Sequence, residues 1–335
     1  MSIPLDLMAE LLPVYLAAQF AQSRMDPQSR EQIAKGISER RPPSLPHYAL
    51  DRADTEKLEC LRAEGAVEFG NVIAKDKLAA IVAHFKNTPC YAAHVAAHGD
   101  GIARPLEETR KLSAYGSYNL ADALKVPEIC EILGNPRLLG IADQYLGYVP
   151  SIYSVHVFWT FKGQEGNTHK FHRDYDDFRF LTLFVYLTDI DENDGETQFI
   201  PGSHLSQEAR QPYREKGSSL PFDASADFDP GAFFPPHHRD LGPEQLARAE
   251  EIFARNKVSM GGKAGSAYLA DTYGLHRGTP ILKQDRLACW IRFGLTQNLI
   301  YHNDQTKPVS VSQLPHVQLG ANEIPYPYRL IFSLG

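Results

Sequence analysis

The sequence predicts a mainly β core with flanking helices, an α+β arrangement built on a double-stranded β-helix of the jelly-roll or cupin-like kind. Three observations predict it. Residues 1–150 read mainly as helices; residues 151–297 break into short alternating apolar runs separated by polar turns; and that strand rhythm stops over 205–263 and then returns. Short strands with polar turns after a helical half are the pattern of a jelly roll flanked by helices.

The elements follow in order. Helical spacing covers Asp54–Glu68, Lys75–Phe85 and Leu120–Leu133, while the stretch between Asn87 and Lys111, with Gly99, Gly101 and Pro105, reads as a surface loop. A short helix, Arg137–Leu146, leads into the first clear strand, Ile152–Phe161. The segment Phe171–Asp174 comes next, then a strong strand at Phe178–Thr188, a turn at Asp191–Gly195, and a short strand at Thr197–Ile200 ending in Pro201-Gly202-Ser203-His204. The insertion 205–263 holds several prolines, the pair His237-His238 and one helical stretch, Pro243–Arg255; it lies where a lid over a cavity is expected. Strands resume at Gly265–Asp271 and Leu287–Thr296, and 298–335 forms a C-terminal extension without clear periodicity. Together these parts are expected to make one structural domain.

Composition narrows the function. Lys+Arg number 34 against 41 Asp+Glu, a net charge of −7, with 43% hydrophobic residues. No Lys/Arg cluster is present to release counterions, which argues against nucleic acid as a partner. Cys60, Cys90, Cys130 and Cys289 are scattered without CxxC spacing, so they read as reduced thiols of a cytoplasmic protein rather than a zinc knuckle or disulfide framework. The opening MSIPLDLMAELLPVYLAAQF is apolar but lacks a basic start and carries Asp6, Glu10 and Pro13. It therefore reads as a helix packed on the body of the protein or on a second copy, giving a homodimer, and not as a signal peptide or a stable membrane insertion.

His172-Arg173-Asp174 carries the chemistry. Alternate side chains of an extended strand share a face, so His172 and Asp174 point the same way while Arg173 points away. With His276 from a distant strand they make a two-histidine, one-carboxylate set that holds iron(II) on one side and leaves the other positions open. His-x-Asp alone is common by chance, and an ordinary surface pair is its bland reading. Context raises it: a strong strand follows, then a Gly-Glu-Thr turn and Pro-Gly-Ser-His. Arg286, shortly after His276, has the planar fork that meets the far carboxylate of 2-oxoglutarate with two parallel hydrogen bonds. Arg292, on the same side of the same strand, is the alternative.

The run FHRDYDDFRFLTLFVYLTDIDENDGETQFIPGSH with the later HRGTPILKQDR resembles the phytanoyl-CoA dioxygenase family of iron(II)- and 2-oxoglutarate-dependent oxygenases. The resemblance covers about 150–295. It implies that His172, Asp174 and His276 bind iron, that Arg286 binds 2-oxoglutarate, and that dioxygen is the other co-substrate, with ascorbate supportive in vitro. It further implies hydroxylation of a small molecule with release of succinate and carbon dioxide. Arg277-Gly278 departs from relatives that place a small hydroxyl residue near the co-substrate, a contact that falls to Thr279. Halogenating relatives lack the carboxylate, which is present here as Asp174.

Other residues receive quieter readings. Thr182, Phe184 and Tyr186 share one strand face and Leu183, Val185 and Leu187 the other, each read as packing. Lys162 reads as a solvated strand end. Tyr175, Asp176 and Asp177 are read as turn residues or as substrate contacts at the mouth. His156, His169, His204 and His237-His238 read as structural histidines, and Cys289 as a small apolar packer. The rival from another class is a jelly-roll protein that binds a sugar or metabolite and keeps a structural metal.

Overall fold

A computed structural model of the chain describes residues 25, 27–41, 48–95, 99–164, 169–205, 244, 247, 250–251, 257–297, 308–319 and 323–334. The N-terminal apolar stretch, His237-His238 and most of the 205–263 insertion lie outside the described residues. Of 243–255, residues 244, 247, 250 and 251 are described, and each is helical.

The N-terminal half supplies helices α1 (Pro27–Ser38), α2 (Arg52–Glu64), α3 (Lys75–Asn87), α4 (Leu106–Thr109), α5 (Leu120–Leu124), α6 (Pro127–Leu133) and α7 (Pro136–Leu146). It also supplies strands β1 (Ala66–Asn71), β2 (Cys90–Tyr91), β3 (Ala103–Arg104) and β4 (Tyr115–Ser117). Then follow β5 (Ser151–Thr160), β6 (Phe180–Tyr186), β7 (Thr197–Phe199), β8 (Val258–Met260), β9 (Ser266–Ala270), β10 (His276–Gly278), β11 (Arg286–Gly294), β12 (Val309–Ser310) and β13 (Phe332–Ser333).

Local chemistry sets the boundaries where the sequence reading overran. The helix expected over Asp54–Glu68 starts after the Asp51 cap, whose carboxylate accepts from the Asp54 amide, and stops at Gly65, which is left-handed with φ +86°. Residues beyond it turn into β1, an element the expected helix had absorbed. The single helix expected over Leu120–Leu133 is two, because Pro127 cannot donate into a continuing helix and instead opens α6. The expected surface loop between Asn87 and Lys111 contains β2, β3 and α4. The first 150 residues are therefore less purely helical than their periodicity suggests, since β1 to β4 are too short to show a period.

Two antiparallel sheets form the jelly roll. The large one runs β1-β9-β6-β11-β5-β4-β2-β3 and the small one β10-β7-β8, extended past β10 by a bridge between His172 and His276. The segment expected to interrupt the strands over 205–263 follows β7 and ends later than the structure allows, because β8 at 258–260 falls inside it and pairs with β7. Period-two alternation splits each long strand between two cores. Leu181, Leu183, Val185, Leu287, Cys289, Ile291, Val155 and Val157 pack with Leu58, Leu61, Ile81, Phe85, Leu124, Ile129, Leu138 and Ile141 from the helices. Phe158, Phe184, Tyr186, Ala288 and Trp290 point the other way, toward Phe199 and Met260 of the small sheet. Burial pushes the Cys289 thiol up to about 12, as a small apolar packer requires. Among the described residues no helix is long and apolar enough to cross a membrane.

Candidate active site

The three expected metal ligands meet. His172 and His276 lie opposite each other, joined by amide hydrogen bonds of 3.0 and 3.1 Å, and the Asp174 amide donates to Thr272 O at 2.9 Å. This antiparallel track puts both imidazoles and the Asp174 carboxylate on one face. One ligand atom from each of the three lies within 4.8 Å of the others, and all three residues are buried.

The imidazoles are oriented from behind. His172 Nδ1 is 2.7 Å from Lys170 O and His276 Nδ1 is 3.0 Å from Gly274 O. A carbonyl only accepts, so each Nδ1 carries the proton, and Nε2 is the nitrogen with a lone pair to offer. Those Nε2 atoms lie 4.0 and 3.8 Å from the Asp174 oxygens. The donor set, two neutral imidazoles and a carboxylate with no thiolate, suits iron(II) in an open facial arrangement.

Arg173 points away from the metal ligands as expected and is buried. Its guanidinium donates to Tyr273 O and Ser203 O, both at 2.9 Å, and stacks on the Tyr273 ring at 4.7 Å. It thus ties three segments together: the one bearing His172 and Asp174, the loop before His276, and the Pro-Gly-Ser-His turn. Ser203 adds to this, accepting from the Leu275 amide at 2.7 Å.

Arg286 opens β11 and reaches the same cavity, which is lined by His172, Phe184, Thr197, His276, Gly278, Arg286 and Trp290. It is 2% exposed, and donates through Nη1 to Gly195 O at 2.5 Å and through Nη2 to Thr160 Oγ1 at 2.9 Å. Gly195 allows this approach: its φ is +82°, and a Cβ there would sit 2.8 Å from Ile281 Cγ1 and 3.2 Å from Arg286 Nη1. Among the described residues Arg286 has no carboxylate at ion-pair distance, and its Nε is buried without a hydrogen-bond partner. Burial pulls its pKa below the usual guanidinium value. A desolvated cation without a counter-ion, in a cavity shared with both histidines, fits a dicarboxylate co-substrate. Thr279 Oγ1, also buried and without a partner, is a second donor nearby in sequence.

Arg292 differs. Its Nη1 is 2.6 Å from Asp176 Oδ2 and its Nη2 is 3.5 Å from Asp174 Oδ2. Asp176 also accepts from Tyr153 OH at 2.7 Å, and Asp177 accepts from the Phe178 and Thr296 amides at 2.8 and 2.7 Å. Both aspartates therefore face the interior rather than the mouth. Tyr175 packs against Tyr273 at 5.8 Å, and Lys162 is an exposed strand end whose amide donates to Asp285. His204 Nε2 meets Arg62 O at 3.2 Å, a structural contact.

Trp290 and His94 are the neighbours that sequence reasoning missed. Trp290 lies on the face shared by Arg286 and Arg292, and even spacing along β11 was the signal for it. His94 gave none. It sits between two-residue strands, yet its ring is 5.6 Å from Trp290, 5.3 Å from His156 and 4.7 Å from Tyr115.

Fold and site together are those of a jelly-roll non-haem iron enzyme. The sequence model described as phytanoyl-CoA dioxygenase (PhyH) matches residues 61–288. The chain belongs to this family of iron(II)- and 2-oxoglutarate-dependent enzymes. No curated protein matches it. Among solved structures it is similar to EctD from S. alaskensis with 2-oxoglutarate and 5-hydroxyectoine, at 17% identity and a TM-score of 0.46, covering 76% of this chain and 82% of that one. It is also similar to HygX from Streptomyces hygroscopicus with nickel and 2-oxoglutarate, at 15% identity and a TM-score of 0.44, covering 74% and 89%. A third is SnoN, the non-haem alpha-ketoglutarate-dependent epimerase from nogalamycin biosynthesis, at 16% and 0.44, covering 72% and 82%.

Proposed function

We propose that this chain is a 2-oxoglutarate-dependent dioxygenase that hydroxylates a small molecule, with His172, Asp174 and His276 as the iron ligands and Arg286 as the 2-oxoglutarate clamp. The observation that carries the reading is the buried Arg286 guanidinium, without a carboxylate at ion-pair distance among the described residues, lining one cavity with both histidines. A structural metal site has no use for such a cation, whereas a co-substrate with two carboxylates needs one at its far end. Iron and 2-oxoglutarate, when bound, supply the oxidation, with succinate and carbon dioxide as the products of the co-substrate. The chain's own part is to hold the imidazoles by their Nδ1 protons, to fix the dicarboxylate through Arg286, and to keep water out with Phe184 and Trp290. Four free cysteines and a charge of −7 support a cytoplasmic protein whose partner is a small molecule rather than nucleic acid.

Anaerobic addition of iron(II) and 2-oxoglutarate tests the site directly. A visible metal-to-ligand charge-transfer band is expected only when both are present, and it is expected to vanish in His172→Ala and Asp174→Ala. A band that survives both substitutions refutes the ligand assignment; the absence of any band in the parent protein refutes the oxygenase reading.

A further inference from the structure

We propose that Arg292, held in place by Asp176 and Tyr153, is a positioning residue that turns the Asp174 carboxylate so that a single oxygen meets the metal. This rests on the oxygenase reading above and assigns Arg292 a different task from Arg286. Asp174 and Asp176, two residues apart on the segment that follows His172, both come within ion-pair distance of Arg292. The Arg292 guanidinium lies between them, 2.6 Å from Asp176 Oδ2 and 3.5 Å from Asp174 Oδ2, and Tyr153 OH donates to the same Asp176 oxygen at 2.7 Å. Tyr153, Asp174, Asp176 and Arg292 are respectively 4%, 2%, 5% and 7% exposed, so the network is screened from water.

The geometry gives each group a job. A ligand carboxylate can rotate about its Cβ–Cγ bond, and if both oxygens met the ion they would fill a position that the co-substrate or oxygen needs. The guanidinium bridges the two carboxylates, Nη1 on Asp176 and Nη2 3.5 Å from Asp174 Oδ2; that attraction draws on Oδ2, which lies 3.8 Å from His276 Nε2, and favours Oδ1, 4.0 Å from His172 Nε2, for the ion. A bare guanidinium beside a divalent cation would repel it, and Asp176 cancels that charge. Tyr153 fixes Asp176 in turn. The sequence Asp-x-Asp after the first histidine then reads as one metal ligand followed by the counter-ion of the residue that orients it.

Manganese(II) affinity, read by electron paramagnetic resonance of the free ion, and 2-oxoglutarate affinity at saturating manganese separate this role from a clamp or a packing role. Arg292→Lys keeps the charge but loses the fork, and Asp176→Asn leaves the charge uncompensated. Each is expected to weaken manganese binding by about 10- to 100-fold, the usual cost of losing an outer contact to a metal ligand, with 2-oxoglutarate affinity at saturating manganese unchanged. The visible spectrum of the cobalt(II)-loaded Arg292→Lys protein is expected to shift, because it reports coordination number. Tyr153→Phe removes one hydroxyl and is expected to weaken manganese binding less, in the same direction; it carries the test if the other two fail to fold. Manganese affinity equal to the parent's in the folded variants overturns the proposal. So does a loss of 2-oxoglutarate affinity that persists at saturating manganese in Arg292→Lys. A parent protein that binds neither manganese nor 2-oxoglutarate overturns the oxygenase reading itself.

Discussion

Replacing Arg286 by Met separates the cost of burying a cation from its use. In the free protein the guanidinium is 2% exposed, donates to Gly195 O and Thr160 Oγ1, and has no carboxylate beside it among the described residues. Removing one partner from a buried, hydrogen-bonded charge pair costs about 2–5 kcal/mol. At about 1.4 kcal/mol per tenfold, Arg286→Met should weaken 2-oxoglutarate binding roughly 30- to 4,000-fold. Arg286→Lys keeps the charge and loses one charge-assisted hydrogen bond, about 1.5–3 kcal/mol, so the loss should be roughly 10- to 150-fold. Iron affinity should not move, because no metal ligand contacts Arg286 among the described hydrogen bonds. The same desolvation predicts that the Met variant is no less stable than its parent without ligands, since an uncompensated buried cation costs several kcal/mol. Titrating 2-oxoglutarate into the iron(II)-loaded protein by its charge-transfer band, beside a urea melt of the apoprotein, measures both quantities. A loss of less than about tenfold for Met, or equal losses of iron and 2-oxoglutarate affinity, refutes the clamp.

Asp271 is buried, with its carboxyl raised above the usual range by burial, and accepts from Tyr145 OH at 2.6 Å and the Tyr273 amide at 3.0 Å. A raised folded pKa means the native state holds the proton more tightly, so this group's contribution to stability falls as pH rises through the carboxylate range. Asp271→Asn should therefore gain stability relative to its parent as pH rises from acid to neutral in a pH series of urea melts, and a parallel pair of curves would contradict the assignment.

The meeting of His172, Asp174 and His276 was legible in the sequence because it depends on spacing: His-x-Asp puts two side chains on one face wherever the backbone is extended. The long strands were legible because their alternation runs over seven to ten residues. What stayed hidden depends on contacts across distance. β1 pairs with β9 from Ala66 against Ala270 to Asn71 against Ser266, and nothing local in Ala66–Asn71 announces that partner. Asp176 and Asp177 follow the ligands in a polar run that reads as a turn. Their burial becomes visible only when Arg292, Tyr153 and Thr296 arrive from other segments. Arg173 was seen to point away, but whether that direction meant solvent or core was decided by Tyr273 and Ser203, many residues later.

The two arginines of β11 show how one strand face can carry two cations in different surroundings. Arg286, Ala288, Trp290 and Arg292 share a face, and Ala288 and Trp290 are among the buried residues between the sheets. Periodicity alone makes the two arginines equivalent, since both are cations on the same side. Counter-ions break the equivalence. Arg292 faces two aspartates, whereas Arg286 faces a carbonyl and a hydroxyl and, among the described residues, no carboxylate. On the proposed reading, a dicarboxylate lying along this strand would meet the metal at one end and the Arg286 guanidinium at the other. Its orientation is then set by where the protein has left positive charge unpaired, not by the shape of the cavity alone.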